Sequence, residues 1–329
     1  MSGLNASLGY FVACVVLAAT LQAPLKRWPR LAFLSELLSS FMLVACRLEV
    51  QTIVEVGEWA GGLGPDVTLT ILLAVLLVHG AVCGDHSGNP SVSAIRFLQL
   101  DTAALATVLA LASQFLGAHL AMLAAEYYWS LELTDMHMIK NLMARECSTS
   151  LLVSPIQGFF TEGVCALLFH LVQLFLRRRS ALVRVPVGAI LLTFLSHIAK
   201  GYTSSYINPS LAYSLTFYCS GFTFAEYALV YWLAPITGKL HSRTYRLRVC
   251  VYILRSVCPS IQRYVHTSES VCISRNDLGP PFVHGPHPKD LCQEPALFSQ
   301  DAFPGAKRRR KREEEEMNAI PFCFLIFLF

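Results

Sequence analysis

One tripeptide occurs twice in this sequence and decides how the rest of it is interpreted. Asn89-Pro90-Ser91 lies in the first half of the chain, and Asn208-Pro209-Ser210 follows it 119 residues later. Proline fits the first position of a helix, and asparagine is a favoured N-cap because its side-chain oxygen accepts an orphan backbone N–H. Each tripeptide therefore predicts a helix that begins directly after its asparagine. The asparagine NH2 group would then be held in place as a donor.

The sequence around both tripeptides is too apolar for a soluble protein. Hydrophobic side chains make up 54% of the 329 residues and charged ones only 15%, whereas soluble domains carry about 25% charged residues. Residues 1–238 have a net charge of −1, and residues 239–329 have a net charge of +5. This composition predicts a membrane body with a basic, polar tail. It disfavours a soluble enzyme, a disordered chain and a nucleic-acid binder.

The membrane body contains apolar segments that approach the length of about 20 residues needed for a membrane-spanning helix. The predicted spans are Leu31–Arg47, Val67–Gly84, Thr102–Ala125, Gly158–Leu176, Val185–Ala199 and Phe217–Leu240. A further segment, Leu8–Leu25, precedes them and could be a signal sequence, a signal anchor or an extra span. It has neither a basic residue ahead of it nor a clear cleavage site, so we expect it to be retained.

The distribution of Lys and Arg predicts how the spans are oriented. Basic residues cluster in the turn Lys26–Arg30, in the connection Arg177–Arg184 and in the C-terminal tail. The alternate connections are poor in basic residues. Six spans with the first turn and the tail in the cytosol satisfy the positive-inside rule.

Other residues repeat together with the tripeptide. The opening span of each half holds one glutamate, and the closing spans hold a matching pair of residues: Glu36, Gln114 and Gly117 in the first half, Glu162, Pro235 and Gly238 in the second. Three spans in each half, an odd number, place the halves in opposite orientations. The predicted fold is an all-α membrane protein with six transmembrane helices and two re-entrant half-helices in an inverted repeat. Such a plan places a binding site at the membrane midplane.

Two half-helices that meet at the midplane would suit a pore. Each N-terminus carries about half a positive charge, which opposes cations and protons. The asparagine amides offer hydrogen-bond donors to a neutral solute that carries oxygen. These are the properties of a channel for water or a small polyol.

Residues 1–238 resemble the aquaporin (major intrinsic protein) family, and in particular its divergent superaquaporin branch. The two tripeptides carry this resemblance together with the stretches Glu58–Asp66, Leu131–His137 and Val230–Gly238. The resemblance implies permeation of water and of small neutral solutes such as glycerol. It also implies a homotetramer with one pore in each protomer, contact with membrane lipid, and an intracellular location such as the endoplasmic reticulum or a vesicle.

The family's functional residues map onto this sequence position by position. The resemblance makes Asn89 and Asn208 the paired donors of the pore, and their turns are Pro90, Ser91, Pro209 and Ser210. The third residue of the family's motif is usually Ala, but both copies here have Ser. Glu36 and Glu162 match buried glutamates that accept hydrogen bonds from the backbone of the half-helix loops.

The constriction departs from the family pattern. The family has an Arg three residues after the second Asn, and that position is Leu211 here. The aromatic residue of the second span falls at Leu69, and the histidine of the fifth span falls at Ser196 or its neighbour His197. We therefore predict an apolar pore mouth without a fixed cation, which would discriminate poorly between water and glycerol.

Two other functions remain open at this point. One is a non-conducting membrane scaffold that keeps the fold with a closed or truncated pore. The other is a coupled solute or ion transporter that uses Glu36 or Glu162.

No cofactor, metal site or enzymatic arrangement stands out on the spans. The cysteines show no metal-ligand spacing, and most of the first six lie in or beside apolar runs, where free cysteine behaves as a small hydrophobe. Ser205 occupies a position that is a reactive Cys in some relatives, so we expect weak inhibition by mercury.

These features divide the chain into five predicted regions. They are an apolar segment with its basic turn at residues 1–30, a first repeat at 31–130, an extramembrane connection at 131–157, a second repeat at 158–240, and a basic, disordered tail at 241–329. The sixth span is short, because charged residues begin at Lys239. An alternative splice form is one explanation of that tail.

Overall fold

The computed structural model describes residues 3–57, 64–143, 147 and 149–242, and these residues are mainly helical. The predicted tail at 241–329 lies outside them except for its first two residues. The helices are α1 (Gly3–Leu25), α2 (Ala32–Glu55), α3 (Pro65–Cys83), α4 (Pro90–Leu98), α5 (Ala104–Ser130), α6 (Asp135–Met143), α7 (Pro155–Leu176), α8 (Ala181–Ile198), α9 (Pro209–Leu215) and α10 (residues 224–242). The α10 helix contains a π-helical turn at Leu229–Leu233.

Within the described residues, six helices are long and apolar enough to cross a membrane: α1, α2, α3, α5, α7 and α8. The segment Leu8–Leu25 therefore forms a helix as long as the others. The predicted span Phe217–Leu240 is not among the six. Its helix starts only at Phe224, because Thr223 and Glu226 form a capping box that fixes the first turn. We therefore correct the start of this last segment by about two turns.

The α2 helix lies at the centre of the bundle and packs against α1, α3 and α5. The sequence predicted that it would end at Arg47, but it continues to Glu55. Two charged residues at and beyond the predicted end are buried, Arg47 at 9% exposure and Glu49 at 0%. They are tolerated there because each has a hydrogen-bond partner on another helix, which a hydropathy pattern does not show.

A buried polar cluster around Glu49 joins α2 to three other helices. The Glu49 carboxylate accepts hydrogen bonds from Ser7 Oγ of α1 at 2.5 Å and from Trp129 Nε1 of α5 at 2.9 Å. It also lies 2.8 Å from His137 Nε2 of α6, and both side chains are fully buried. The stretch Leu131–His137, which carried part of the family resemblance, thus ends in a residue that holds α6 against the bundle.

Replacing His137 with Ala is expected to destabilise the protein by about 3 kcal/mol, because the buried Glu49 carboxylate loses its one ionisable partner and keeps only the neutral donors of Ser7 and Trp129. The loss should appear as a lower melting temperature of the detergent-solubilised protein. His137→Gln keeps a donor and is the matched control. Equal melting temperatures for His137→Ala and the parent would contradict this role.

Two glycines allow helices to cross at backbone distance. A Cβ atom on Gly117 of α5 would overlap the carbonyl oxygen of Leu37, which follows Glu36 in α2. A Cβ atom on Gly238 of α10 would overlap the carbonyl oxygen of Gly163, which follows Glu162 in α7. The same close contact thus occurs once in each half of the chain.

Candidate functional site

The two short helices α4 and α9 begin at the repeated tripeptides. Asn89 precedes α4 in an extended conformation, and its Oδ1 accepts the Ser91 N–H at 3.0 Å. Asn208 precedes α9 in the same conformation, and its Oδ1 accepts the Ser210 N–H at 3.0 Å. Each proline occupies the first turn, where its missing N–H leaves no intrahelical bond unmade.

The two asparagines also bind the opposite half of the chain. Asn89 Nδ2 donates to the Ile207 carbonyl oxygen at 3.2 Å. Asn208 Nδ2 donates to the Gly88 carbonyl oxygen, also at 3.2 Å. An amide nitrogen carries two hydrogens, so one hydrogen of each asparagine is used within the protein and the other has no acceptor among the described residues.

The residue before each asparagine turns its carbonyl towards the other half. Gly88 and Ile207 both have left-handed backbone conformations, with φ of 57° and 55°. This conformation is unfavourable for a β-branched residue such as Ile207. At Gly88 a side chain is also excluded by space, because a Cβ atom would lie 2.6 Å from the Ser40 nitrogen.

The two buried glutamates hold these strained turns. Glu36 Oε2 accepts the Gly88 N–H at 3.0 Å and the Gln114 side-chain amide at 2.8 Å. Glu162 accepts the N–H groups of Tyr206 and Ile207 at 3.0 and 2.9 Å. Each carboxylate is therefore occupied by the loop that leads into a tripeptide.

The two serines lie behind the asparagines and reach across the junction. Ser210 Oγ donates to the Gly88 carbonyl oxygen at 2.9 Å, and Ser91 Oγ lies 3.3 Å from the Ile207 carbonyl oxygen. Lys239 is fully buried, and its Nζ donates to the Ile207 carbonyl oxygen at 3.0 Å and to Ser91 Oγ. The sequence assigned Lys239 to the start of a polar tail, but the structure places it inside the bundle.

An elongated cavity of about 340 Å³ passes between the helices, and Asn89, Asn208 and Leu211 contribute to its wall. The wall includes Arg184 in the first turn of α8 and Ser196 near its end. These two residues are 12 positions apart, which corresponds to about 18 Å along a helix. The tripeptide residues Pro90, Ser91, Pro209 and Ser210 are buried and do not line the cavity.

The predicted constriction residues are only partly brought together. Ser196 and Leu211 line the cavity, whereas Leu69 does not, and α3 contributes Leu72 and Leu76 instead. His197 is exposed and does not line the cavity, so Ser196 is the residue of α8 that faces it. Leu72 and Leu76 lie one and two turns beyond Leu69 on the same face of α3. The predicted helix face is therefore the one that lines the cavity, but the lining starts one turn further along the helix.

A cation that the sequence did not assign lies beside one of the predicted constriction residues. Arg47 lines the same cavity from α2, and its Nη2 donates to Ser196 Oγ at 2.9 Å. Sequence reasoning missed Arg47 because it treated the residue as the end of a span. One signal was present: Arg47 follows Glu36 by 11 residues, close to three full turns, so both lie on one face of α2.

The structure also contains a disulfide that the sequence analysis did not predict. Cys147, which precedes α7, is bonded to Cys219, which follows α9. The expectation of small, free hydrophobic cysteines is wrong for this pair, because both lie in loops that two backbone hydrogen bonds, from Ser220 N to Cys147 O and from Thr149 N to Ser220 O, bring together. The free cysteines among the described residues are Cys14, Cys46, Cys83 and Cys165, and all four are buried.

This pairing sharpens the expected response to mercury. Every described cysteine is either buried or disulfide-bonded, so mercuric chloride should inhibit water flux weakly before reduction. After dithiothreitol treatment we expect stronger inhibition, and the double variant Cys147→Ser/Cys219→Ser should remove the gain. Stopped-flow light scattering of proteoliposomes measures both states. Strong block of the unreduced protein would show that another thiol controls the flux.

Several helices able to cross a membrane, with an elongated cavity between them, define a multi-pass membrane protein of the channel class. The chain is 39% identical over 244 residues to aquaporin-12 of Mus musculus, a match that covers 73% of this chain and 84% of the relative. The chain belongs to the aquaporin family. It is a water-channel family member and not an enzyme.

Two further comparisons have lower similarity. Aquaporin-11 of Homo sapiens is 31% identical over 209 residues, which cover 64% of this chain and 75% of that protein. The X-ray structure of the aquaglyceroporin from Plasmodium falciparum superimposes with a TM-score of 0.49 at 18% identity, covering 70% of this chain and 97% of the other. No profile of a known protein family matches the chain.

Proposed function

We propose that this protein conducts water and small neutral solutes such as glycerol through the cavity beside Asn89 and Asn208. One observation carries the proposal. Each asparagine lines the cavity while its oxygen caps one short helix and its nitrogen donates to the opposite loop. Both amides are thereby fixed, and each retains one hydrogen for a passing oxygen atom. Fixed donors in a narrow path favour neutral solutes that accept hydrogen bonds.

We also propose that α4 and α9 are re-entrant half-helices of an inverted repeat. Three contacts that occur once in each half support this arrangement: the glutamate to the loop N–H, the asparagine to the opposite carbonyl, and the glycine against a helix carbonyl. A repeat of this kind places the two asparagines near the membrane midplane.

The proposed orientation has the turn at Lys26–Arg30 and the connection Arg177–Arg184 in the cytosol. Cys147 and Cys219 then lie together on the opposite side, and their disulfide supports this orientation because disulfides persist in oxidising compartments. The resemblance to aquaporin-12 supports an intracellular membrane and a homotetramer. Co-localisation with organelle markers and native mass spectrometry in detergent test these two points.

The function is tested with purified protein in liposomes. We expect proteoliposomes under an osmotic step to shrink faster than empty liposomes, with a lower activation energy for water movement. Glycerol entry is followed in the same vesicles. Water flux equal to that of empty liposomes, in protein that is folded and oligomeric, would reject the channel.

A non-conducting scaffold is the second candidate, and Lys239 is the observation that favours it. Its ammonium group binds the Ile207 carbonyl and Ser91 at the junction of the two halves, where it adds a positive charge next to the path. The absence of water flux in folded protein would support this scaffold.

A coupled transporter is less well supported, because Glu36 and Glu162 do not line the cavity and their oxygens bind loop backbone.

A further inference from the structure

Arg47 is the charged residue with the most unusual surroundings in the cavity wall. It lies within a membrane-spanning helix and is only 9% exposed. Among the residues that the structure describes, no carboxylate oxygen lies within 4.0 Å of it. A buried charge without a partner is costly, so a lone arginine in a membrane span points to a function.

The position of the guanidinium is fixed by hydrogen bonds between three parts of the chain. Arg47 Nη2 of α2 donates to Ser196 Oγ of α8 at 2.9 Å. Ser196 Oγ in turn lies 3.3 Å from the carbonyl oxygen of Ser204, in the loop that leads to Asn208. A guanidinium has five N–H donors, and this network uses one of them. The other donors are available to molecules in the cavity.

Arg47 is bound near the opposite end of α8 from another arginine of the cavity wall. Arg184 lies in the first turn of α8, where it pairs with Asp85. Ser196, which binds Arg47, lies about 18 Å from Arg184 along α8. Arg47 therefore supplies a positive charge beside Ser196, one of the predicted constriction residues.

We propose that Arg47 determines the selectivity of this channel. Its guanidinium narrows the path beside Ser196 and Leu211, donates hydrogen bonds to water, and repels cations. The cation that the loop position of Leu211 lacks is thus supplied from a different helix. This proposal rests on the proposed water conduction, and it assigns the discrimination between solutes to one side chain.

The test compares Arg47→Leu and Arg47→Lys with the parent chain in proteoliposomes. Arg30→Leu, which removes an exposed charge outside the cavity wall, is the matched control. We expect Arg47→Leu to raise the ratio of glycerol to water permeability about tenfold and to admit a sodium leak. Arg47→Lys should still exclude sodium, because it keeps the charge. It should raise the ratio of glycerol to water permeability, because lysine lacks the planar guanidinium group with its several fixed N–H donors.

The water flux of the parent chain and the permeability ratio separate two kinds of failure. If the parent conducts no water, the proposed function fails and the selectivity role fails with it. If the parent conducts water but Arg47→Leu leaves both the ratio and the sodium leak unchanged, only the role of Arg47 is overturned. Ser196→Ala, which frees the guanidinium without removing it, should raise the ratio by a smaller factor. The Ser196→Ala variant tests the role of Arg47 in selectivity if the Arg47→Leu variant does not fold.

A second measurement does not depend on conduction. In an Arg47→Cys variant, the new thiol should react with a water-soluble methanethiosulfonate reagent faster than the native cysteines of the parent do. Such reactivity would place position 47 on the aqueous path. A variant that reacts no faster than the parent would place it away from the path and overturn the proposal.

Discussion

Replacing Asn89 and Asn208 together with leucine is expected to lower the water permeability of proteoliposomes about 30-fold. Each amide offers one hydrogen to the cavity, and a hydrogen bond of this kind is worth about 1 kcal/mol. A barrier increase of about 1.4 kcal/mol slows a rate tenfold, so the loss of two donors, about 2 kcal/mol, slows it about 30-fold. Stopped-flow light scattering under an osmotic step measures this change.

The control for this variant separates the donor from the helix cap. Leucine removes both functions of asparagine, and the loss of a cap costs about 1 kcal/mol of stability. Asn89→Asp and Asn208→Asp keep an oxygen that accepts the Ser91 or Ser210 N–H, but they lose the NH2 donors. We therefore expect the aspartate variants to keep the helix caps and still to lose water flux. Water flux unchanged in the folded double-leucine variant would reject Asn89 and Asn208 as pore donors.

Local chemistry explains which parts of this fold could be predicted from the sequence. The starts of α4 and α9 follow from a cap and a proline that act within three residues, so no tertiary information is needed. The same local chemistry shortened the last helix, because the Thr223–Glu226 capping box sets its start inside a segment that hydropathy alone treats as continuous.

Long-range contacts explain what could not be predicted. A charge inside an apolar run normally marks the end of a span, and Arg47 departs from this rule because Ser196, 149 residues away, binds it. Lys239 likewise looks like the start of a polar tail until its contact with Ile207 is known. The disulfide joins cysteines 72 residues apart without any spacing pattern, so only the folded loops reveal it.

The second large effect is expected from Leu211→Arg. The sequence alone predicted an apolar mouth without a cation, and on that basis Leu211→Arg would restore one and lower glycerol flux more than water flux. The structure changes the expectation, because Arg47 already lines the cavity that Leu211 lines. Two guanidinium groups would then line one cavity, and Arg47 has no carboxylate partner among the described residues. An arginine at mid-membrane costs about 2.5–3.5 kcal/mol on insertion scales, and repulsion between the two charges adds to this cost.

We therefore expect Leu211→Arg alone to reduce the yield of folded protein and to lower the water flux per folded molecule at least about tenfold. The double variant Arg47→Leu/Leu211→Arg moves the cation from α2 to the loop and removes the repulsion, so it should recover both yield and water flux. Leu211→Gln, which adds a polar side chain of similar length without charge, separates the effect of charge from that of bulk. Size-exclusion chromatography gives the folded fraction, and proteoliposome shrinkage gives the flux. If the double variant were as impaired as Leu211→Arg alone, the two positions would not share one constriction, because only side chains that occupy the same part of the path can compensate for each other.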